Sequence, residues 1–261
     1  MVRLKDKVAI VTGGGKGIGK AICMAFASEG AAVVAAARDL SKVQETAEEI
    51  KSKGGRATAI QTDVSDAKQV QQMVVQTLNE YGQIDILVNN SGVRGPTAKV
   101  VDLNLEDWNE VLAINLTGSM LCARELLKSM IPRRSGNIIN IGSEAGRAGY
   151  PMRSPYCCSK WGIIGLTQTL AIEVGEHNIR VNCISPAGVR GERLINVVRG
   201  RSEAVGVPFD ELMSNITANY SLERLAEESE IAAAAVFLAS DESSAITGHT
   251  LVINCGHHIV H

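Results

Sequence analysis

Residues 8–20 read VAIVTGGGKGIGK, an apolar run that passes directly into glycines and then into a helical pattern. Val8–Thr12 is typical of a strand that is buried on both faces, and the helical period begins at Lys20. Glycines at such a turn allow a tight bend and a close approach to a pyrophosphate, whose charge the free N–H groups of the helix N-terminus stabilise. This stretch therefore predicts a nucleotide-binding turn in an α/β sheet.

The spacing of the glycines is wider than G-x-G-x-x-G and follows the pattern T-G-x-x-x-G-I-G. An ordinary tight turn is the alternative, and the position at the first strand of an alternating chain favours the nucleotide site. A P-loop is excluded because Lys20 is followed by Ala21 and not by Ser or Thr. The residues predicted to hold the cofactor in this loop are Gly13, Gly15, Lys16, Gly17, Ile18 and Gly19.

The remaining chain alternates short runs rich in Val, Ile and Ala with segments of helical period. Two predicted helices are residues 41–53, where Ser41 and Gln44 form a capping box and Gly54 ends the helix, and residues 66–81, ended by Gly82. Repeated strand–helix–strand units indicate parallel strands with helices on both faces, hence an α/β, doubly wound fold. The further predicted strands are residues 33–37, 57–61, 84–88, 137–141, 180–184 and 250–253.

Composition and charge exclude several classes of partner. The 261 residues are 45% hydrophobic, and 26 basic against 28 acidic residues give a formal charge of −2, so we expect neither nucleic acid nor a membrane as partner. No linker or repeat divides the chain, which predicts a single domain over residues 1–261. Within it, the polar and irregular segment at about 190–222 is expected to be a lid over the site.

Cysteine and histidine usage predicts a reducing compartment and no metal site. The six cysteines lack C-x-x-C spacing and are typical of small buried hydrophobes in a cytoplasmic protein. His257 and His258 are expected to be solvated in a tail. The first residues carry Asp6 and Lys7 before a short apolar run, which does not fit a signal peptide.

The end of the second predicted strand indicates which dinucleotide is bound. Ala37 is followed by Arg38 and Asp39. An acid at this strand end would accept a hydrogen bond from a ribose 2′-OH, whereas an arginine accommodates a 2′-phosphate. Arg38, helped by Lys16, therefore favours NADP over NAD, and Asp39 is expected to start the next helix. A solvated surface arginine is the alternative interpretation of Arg38.

The middle third of the chain carries an acid/base pattern. Ser143 follows the predicted strand 137–141, Tyr156 lies thirteen residues further on, and Lys160 follows in Tyr-Cys-Cys-Ser-Lys. Residues at i and i+4 share one face of a helix, so Tyr156 and Lys160 can converge on one point. A free phenol is a poor acid or base at neutral pH, and a neighbouring ammonium favours the tyrosinate form, which suits an acid/base device. A merely half-buried helical tyrosine is the alternative.

Taken together and in this order, the motifs resemble the short-chain dehydrogenase/reductase family along the whole chain. The residues that carry the resemblance are Thr12–Gly19, Asn89-Asn90-Ser91-Gly92, Asn115, Ser143, Tyr156, Lys160 and Pro186. The resemblance implies a Rossmann sheet of seven strands, a nicotinamide dinucleotide as cofactor and a homotetramer. It also implies hydride transfer between the nicotinamide and a small-molecule carbonyl or alcohol substrate.

The resemblance further implies a role for each matching residue. Tyr156 is the general acid/base, and Ser143 orients the substrate oxygen. Lys160 assists Tyr156 and holds the nicotinamide ribose, and Asn115 anchors a water chain for proton delivery. Gly191 departs from the family pattern, which has a threonine there whose hydroxyl meets the nicotinamide carboxamide. The other residues implied to contact the cofactor are Asp63, Val64, Asn89, Ser91, Gly92, Pro186 and Val189.

Arginines gather in segments expected near the nicotinamide end. Singly, each is an ordinary solvated residue, but together they predict an anionic substrate such as a keto acid or a 3-oxoacyl thioester. A catalytically weak nucleotide-binding subunit or redox sensor on the same fold is the alternative function, and the complete Ser143, Tyr156 and Lys160 set favours the enzyme. The arginines are Arg94, Arg147, Arg153, Arg190 and Arg193.

Overall fold

Seven of the nine strands that the structure describes form one parallel sheet. The structure, a computed structural model, describes residues 2–191, 194–195, 198–199, 202 and 206–257. The strands are β1 (Val8–Thr12), β2 (Ala32–Ala37), β3 (Arg56–Gln61), β4 (Ile86–Asn89), β5 (Gly136–Ile141), β6 (Ile179–Pro186), β7 (Val189–Arg190), β8 (Ala226–Glu227) and β9 (Thr250–Ile253). The sheet order is β3-β2-β1-β4-β5-β6-β9, and β7 pairs with β8 separately. The doubly wound fold with seven parallel strands is confirmed.

Helices connect the strands and cover both faces of the sheet. The α-helices are α1 (Gly17–Ser28), α2 (Leu40–Ser52), α3 (Ala67–Tyr81), α4 (Leu105–Leu112), α5 (Gly118–Arg133), α6 (Ser154–Val174), α7 (Phe209–Thr217) and α8 (Glu228–Ala239). A π-helical turn, Ala113–Thr117, joins α4 to α5, and short 3₁₀ turns span Val100–Asp102, Glu144–Gly146, Gly175–His177 and Asp241–Ser243. No helix in the described ranges is both long and apolar enough to cross a membrane.

Each face of the sheet has its own hydrophobic core. Phe26 of α1 lies in the core formed with α2 and α8, and Met73 of α3 lies in the core formed with α5 and α6. Side chains of β1 alternate between the two, since Ala9 and Val11 belong to the first core and Ile10 to the second. Burial on both faces explains why the strands are apolar throughout instead of alternating with polar residues.

The beginning of α2 differs from the sequence prediction. Asp39, and not Ser41, is the N-cap, because its carboxylate accepts from Lys42 N at 3.4 Å and from Ser41 Oγ at 2.7 Å. The hydrogen bond from Ser41 holds the pKa of the Asp39 carboxyl below its usual value. The predicted capping box of Ser41 and Gln44 is therefore wrong, whereas the expectation that Asp39 starts the helix is confirmed.

The strand order creates a crevice at the carboxyl edge of the sheet. β1 lies between β2 and β4, so the connections that follow β1 and β4 leave this edge in opposite directions. Ligands of doubly wound sheets bind at such a switch point. The ends of β5 and β6 lie next to it on the same edge, which places the segments after these four strands around one site.

Candidate active site

The loop from β1 to α1 depends on glycine at three positions. Gly13 and Gly17 have φ angles of 67° and 57°, in the left-handed region that glycine adopts without strain. A Cβ on Gly19 would overlap the Gly13 carbonyl oxygen and the Asn90 amide. Only glycine therefore allows α1 to start this close to the turn after β4.

Helix α1 begins with its backbone donors available. Lys16 is the N-cap and makes no side-chain capping hydrogen bond, and the first turn contains no acidic residue. Free N–H groups at an uncapped helix N-terminus suit a pyrophosphate, so the residues present fit the dinucleotide. Ile18 is half-buried, and Gly15 packs on α2, since a Cβ there would lie 2.8 Å from Lys42 Cβ.

The end of β2 presents positive charge. Arg38 is exposed, and its carbonyl oxygen accepts from Gln61 Nε2 at 2.9 Å. Lys16 is also exposed, while the carboxylate of Asp39 is engaged as the cap of α2. A guanidinium and an ammonium at this position are the groups that a ribose 2′-phosphate requires.

The turn after β4 is fastened to β1 through one hydroxyl. Thr12 Oγ1 accepts from Asn90 N at 3.0 Å and from Ser91 N at 3.1 Å. Asn90 Nδ2 donates in return to the Thr12 carbonyl oxygen at 2.9 Å. Thr12 and Asn90 thus hold the crevice open to a fixed width, although the sequence prediction did not assign a role to either side chain.

Three residues that were expected to contact the cofactor have protein partners. Asn89 is buried, and its Nδ2 donates at 2.9 Å to an asparagine of β5. Val64 is buried against α5. Its Cγ2 packs so closely on Gly118 that a Cβ there would lie 2.7 Å away. Asp63 Oδ1 accepts from Ser65 N at 2.9 Å, in an Asx turn after β3.

Helix α6 carries the predicted acid/base pair. Lys160 is 6% exposed, its Nζ donates to the Ile141 carbonyl oxygen at 2.7 Å, and the same Nζ lies 5.8 Å from the centroid of the Tyr156 ring. An ammonium has three donors, so two remain for a phenol oxygen and a ribose hydroxyl. A Cβ on Gly146 would lie 2.5 Å from the Lys160 carbonyl oxygen, which shows how tightly the segment after β5 packs on α6.

Ser143 is held at the start of that segment. It is the N-cap of the 3₁₀ turn Glu144–Gly146, and its Oγ accepts from Ala145 N at 3.2 Å. The hydroxyl keeps its donor and one lone pair for a substrate oxygen.

Asn115 lies in the π-helical turn between α4 and α5. Its Oδ1 accepts from Val93 N at 2.8 Å, and its Nδ2 donates to the Val93 carbonyl oxygen at 2.9 Å and to Ser159 Oγ at 3.0 Å. A Cβ on Gly92 would lie 3.3 Å from Asn115 Oδ1 and 3.9 Å from Lys160 Nζ. Asn115 therefore ties the turn after β4 to α6, and the water chain stays a prediction.

The predicted arginines have different surroundings. Arg153 Cζ lies 5.4 Å from the centroid of the Tyr156 ring, and Arg190 Nη1 lies 4.0 Å from a Glu227 carboxylate oxygen. Arg94 and Arg147 are exposed and make no ion pair within the described ranges. Arg193 lies outside the described residues.

Gly191 faces an acidic side chain. Glu228 begins α8, and a Cβ on Gly191 would overlap its Oε1, which also lies 3.6 Å from the position of a Cβ on Gly17. A carboxylate thus fills the space beside Gly191, and a threonine at this position would collide with it. Val189 pairs with β8 next to this point, and Pro186 ends β6.

Sequence reasoning missed a buried cluster directly after Ser143. Glu144 is 2% exposed, and its two carboxylate oxygens lie 2.7 Å from Asn254 Nδ2 and 2.7 Å from His257 Nδ1. His257 also stacks on Tyr220, with ring centroids 4.4 Å apart. The expectation that His257 is solvated in a tail is therefore wrong, because a carboxylate and a ring hold it. His258 lies outside the described residues.

A cavity of about 460 Å³ opens beside this cluster. Burial raises the pKa of Tyr220, and burial together with the nearby Glu144 carboxylate raises the pKa of Tyr150 to about 12. Both phenols therefore remain protonated donors near neutral pH. The cavity is lined by Leu194, Val198, Leu212, Asn215, Ile216, Asn219, Tyr220 and His257.

Comparison with known proteins agrees with this geometry. Residues 7–201 match the family model described as short chain dehydrogenase. D-threitol dehydrogenase of Mycolicibacterium smegmatis is 38% identical over 257 residues, which cover 98% of this chain and 95% of that protein. A 3-oxoacyl-acyl-carrier-protein reductase of Staphylococcus epidermidis is 34% identical over 252 residues, covering 96% and 98%. The crystal structure of NAD⁺-bound xylitol dehydrogenase matches with a TM-score of 0.89 at 31% identity, covering 96% of this chain and 98% of that chain.

Proposed function

The chain belongs to the short-chain dehydrogenase family, and from that premise we propose that it is an NADP-dependent oxidoreductase acting on a carbonyl compound or secondary alcohol. One observation carries the proposal: Lys160 Nζ lies 5.8 Å from the centroid of the Tyr156 ring and 3.9 Å from the position of a Cβ on Gly92, in the turn after β4. An acid/base pair beside a nucleotide crevice is the arrangement that hydride transfer to a carbonyl needs.

Each side chain of the pair has a separate task. When bound, the dinucleotide supplies or accepts the hydride. The Tyr156 hydroxyl gives a proton to the carbonyl oxygen during reduction and takes one from the alcohol during oxidation. The Lys160 ammonium stabilises negative charge on that phenol oxygen, and Ser143 donates to the substrate oxygen.

The choice of NADP is supported by charge at the end of β2. Arg38 and Lys16 are exposed there, and Asp39 already caps α2. NAD is the alternative cofactor, since the xylitol dehydrogenase structure named above is bound to NAD⁺. Direct titration with NADPH and NADH decides between them.

Two further features of the protein remain proposals. A cytoplasmic location is supported by six cysteines that are all free. A homotetramer is supported by exposed apolar side chains on neighbouring helices, Met120 of α5 and Trp161 and Ile172 of α6. The segment at about 190–222 is proposed as a lid because its described residues line the cavity.

An anionic carbonyl compound, such as a keto acid or 3-oxoacyl thioester, is the second candidate substrate. Arg94 and Arg147 support it because they are exposed and form no ion pair within the ranges described. The similarity to a 3-oxoacyl-acyl-carrier-protein reductase supports it as well. Arg153 supports it because its guanidinium lies beside Tyr156, and Arg190 adds less because it lies beside the Glu227 carboxylate.

Tyr156→Phe tests the proposed chemistry. We expect kcat for carbonyl reduction to fall by roughly 10²- to 10⁴-fold, because the proton donor is lost, while the Kd for NADPH measured by fluorescence titration stays unchanged. Tyr81→Phe is the matched control, since its hydroxyl contacts only α3 and β3 residues, with Thr58 Oγ1 at 2.7 Å. Equal turnover by Tyr156→Phe and wild type would favour the alternative, a catalytically weak nucleotide-binding subunit or redox sensor.

A further inference from the structure

The Glu144 carboxylate is buried without a lysine or arginine partner in the described part of the chain. Its hydrogen-bond partners there are Asn254 Nδ2, His257 Nδ1 and the Tyr150 hydroxyl. A buried carboxylate is costly unless it is paired, so this one is held in place by these three contacts. In the neutral imidazole, the carboxylate requires the proton on Nδ1, which leaves Nε2 as a hydrogen-bond acceptor.

The imidazole of His257 is fixed in orientation. Its ring stacks on Tyr220, whose hydroxyl oxygen accepts from Gly188 N at 3.2 Å. The backbone around it is paired with the lid, since Ser221 N donates to the Gly256 carbonyl oxygen at 3.1 Å. Nε2 has no hydrogen-bond partner among the described residues, and His257 is part of the cavity wall. The cavity therefore contains a preorganised acceptor.

The rest of the cavity wall is apolar or neutral. Leu194, Val198, Leu212 and Ile216 form the apolar part, and among the described residues that line the cavity there is no Lys, Arg, Asp or Glu. This described part of the wall offers an anion no lysine or arginine in exchange for its water, whereas a bare hydrocarbon would leave Nε2 unpaired. A volume of about 460 Å³ falls within the range of ligand sites, about 300–1,000 Å³.

We infer that the Glu144–His257 pair and this cavity form a subsite for a hydroxyl group of the substrate, next to Ser143. The inference rests on the proposed function and names its substrate class: an uncharged alcohol or ketone that carries further hydroxyl groups. A substrate hydroxyl donates to His257 Nε2, and its carbon chain packs against the leucines of the lid. Glu144 is a positioning residue, because it acts only through the imidazole.

The first test compares three four-carbon secondary alcohols that differ in charge and hydroxyl content: a tetritol, 2-butanol and 3-hydroxybutyrate. We expect kcat/KM for the tetritol to exceed that for the other two by at least about 100-fold, because a site built around a hydrogen bond rejects analogues that lack the group. Higher kcat/KM for 3-hydroxybutyrate would overturn the inference and favour the anionic candidate, with the proposed function left intact.

The second test uses His257→Phe, which keeps the stacked ring and removes both nitrogens. We expect the preference for the tetritol over 2-butanol to fall by about 10- to 100-fold, with the loss in KM and not in kcat. His177→Phe, in the 3₁₀ turn after α6, is the control and retains the wild-type preference. A His257→Phe variant that retains it as well would overturn the inference.

A third measurement does not depend on turnover. Saturating tetritol should raise the Tm of the NADP⁺ complex of the wild type and of His177→Phe, but not that of His257→Phe or of the polar variant His257→Gln. Absence of any tetritol effect on the wild type would overturn the inference. Failure of the proposed function has a different signature, namely no turnover of any alcohol or ketone while NADPH still binds.

The positioning role of Glu144 has its own readout. Glu144→Gln keeps the shape of the side chain but no longer requires the proton on Nδ1, so the tetritol preference should fall through KM. The double variant Glu144→Gln/His257→Phe should show the same preference for the tetritol over 2-butanol as His257→Phe alone, because both changes act through one imidazole. Additive losses would overturn the positioning role.

Discussion

The two halves of the carboxyl edge of the sheet differ in what forms their surface, which is mostly main chain in one half and side chains in the other. Beside β1 and β4, the shape of the crevice comes largely from main chain: Gly13 and Gly19 touch, and two backbone N–H groups of the turn after β4 donate to the Thr12 hydroxyl. Beyond β5 and β6, the cavity wall is formed by side chains such as Tyr220 and His257, with Glu144 behind the imidazole. The first half suits a constant ligand, whose phosphates are recognised by N–H groups, and the second half can vary with the substrate.

If the nucleotide half is built from backbone, one added carbon is the most damaging change there. Gly19→Ala would place a Cβ on the Gly13 carbonyl oxygen and the Asn90 amide. We expect it to destabilise the protein by about 3 kcal/mol and to weaken NADPH binding by more than about 100-fold, or about 2.8 kcal/mol. Thermal unfolding and fluorescence titration measure the two effects.

Gly175→Ala is the control for Gly19→Ala. Gly175 has φ −60°, and a Cβ there meets nothing within 4 Å. We expect Tm and NADPH affinity to be unchanged or slightly raised. Wild-type cofactor affinity in Gly19→Ala would contradict the contrast between the two halves.

A smaller effect is expected where the nucleotide half uses a side chain. Arg38→Ala should weaken NADPH binding by about 10- to 100-fold through loss of a charge-assisted contact to the 2′-phosphate, with NADH binding unchanged. Arg56→Ala serves as the control. Arg56 is the first residue of β3 and pairs with Ala32, the first residue of β2, so this variant removes the same charge at the amino ends of the strands. Equal losses for NADPH and NADH would refute the NADP assignment.

The smallest effect is expected at the boundary between the halves. Gly191→Thr would push against the Glu228 carboxylate and should lower the free energy of unfolding by about 1 kcal/mol. In a Glu228→Ala background the same substitution should cost nothing, because the colliding oxygen is gone. Denaturant unfolding of the wild type, the two single variants and the double variant measures this coupling. An equal loss of unfolding free energy in both backgrounds would place the strain elsewhere.

The nucleotide half could be predicted from the sequence because its requirements are local. Glycines within a seven-residue stretch shape one turn, and Tyr156 and Lys160 share a helix face by their spacing alone. The individual cofactor contacts stay predictions. The structure adds that Asn89 turns its amide inward to β5, which its place at the end of a strand did not reveal.

The substrate half could not be predicted in the same way. Glu144 and His257 are 113 residues apart, and only the pairing of the sheet and the lid brings them together. The arginines show the converse problem: they fall in segments expected near one site, yet Arg153 lies beside Tyr156 whereas Arg190 lies beside Glu227. Long-range side-chain pairing leaves no periodic signal in a single sequence.

The position of His257 after β9 has a consequence for how such a protein diverges. The described residues after β9 belong to no strand of the sheet, and among them Cys255 alone packs against a hydrophobic core. Mutations, insertions or recombination in a few codons downstream of β9 can therefore rewrite one wall of the cavity while strand register, glycine turn and acid/base pair are inherited unchanged. The enzymes encoded by duplicated genes can change their substrate in this way while they remain folded.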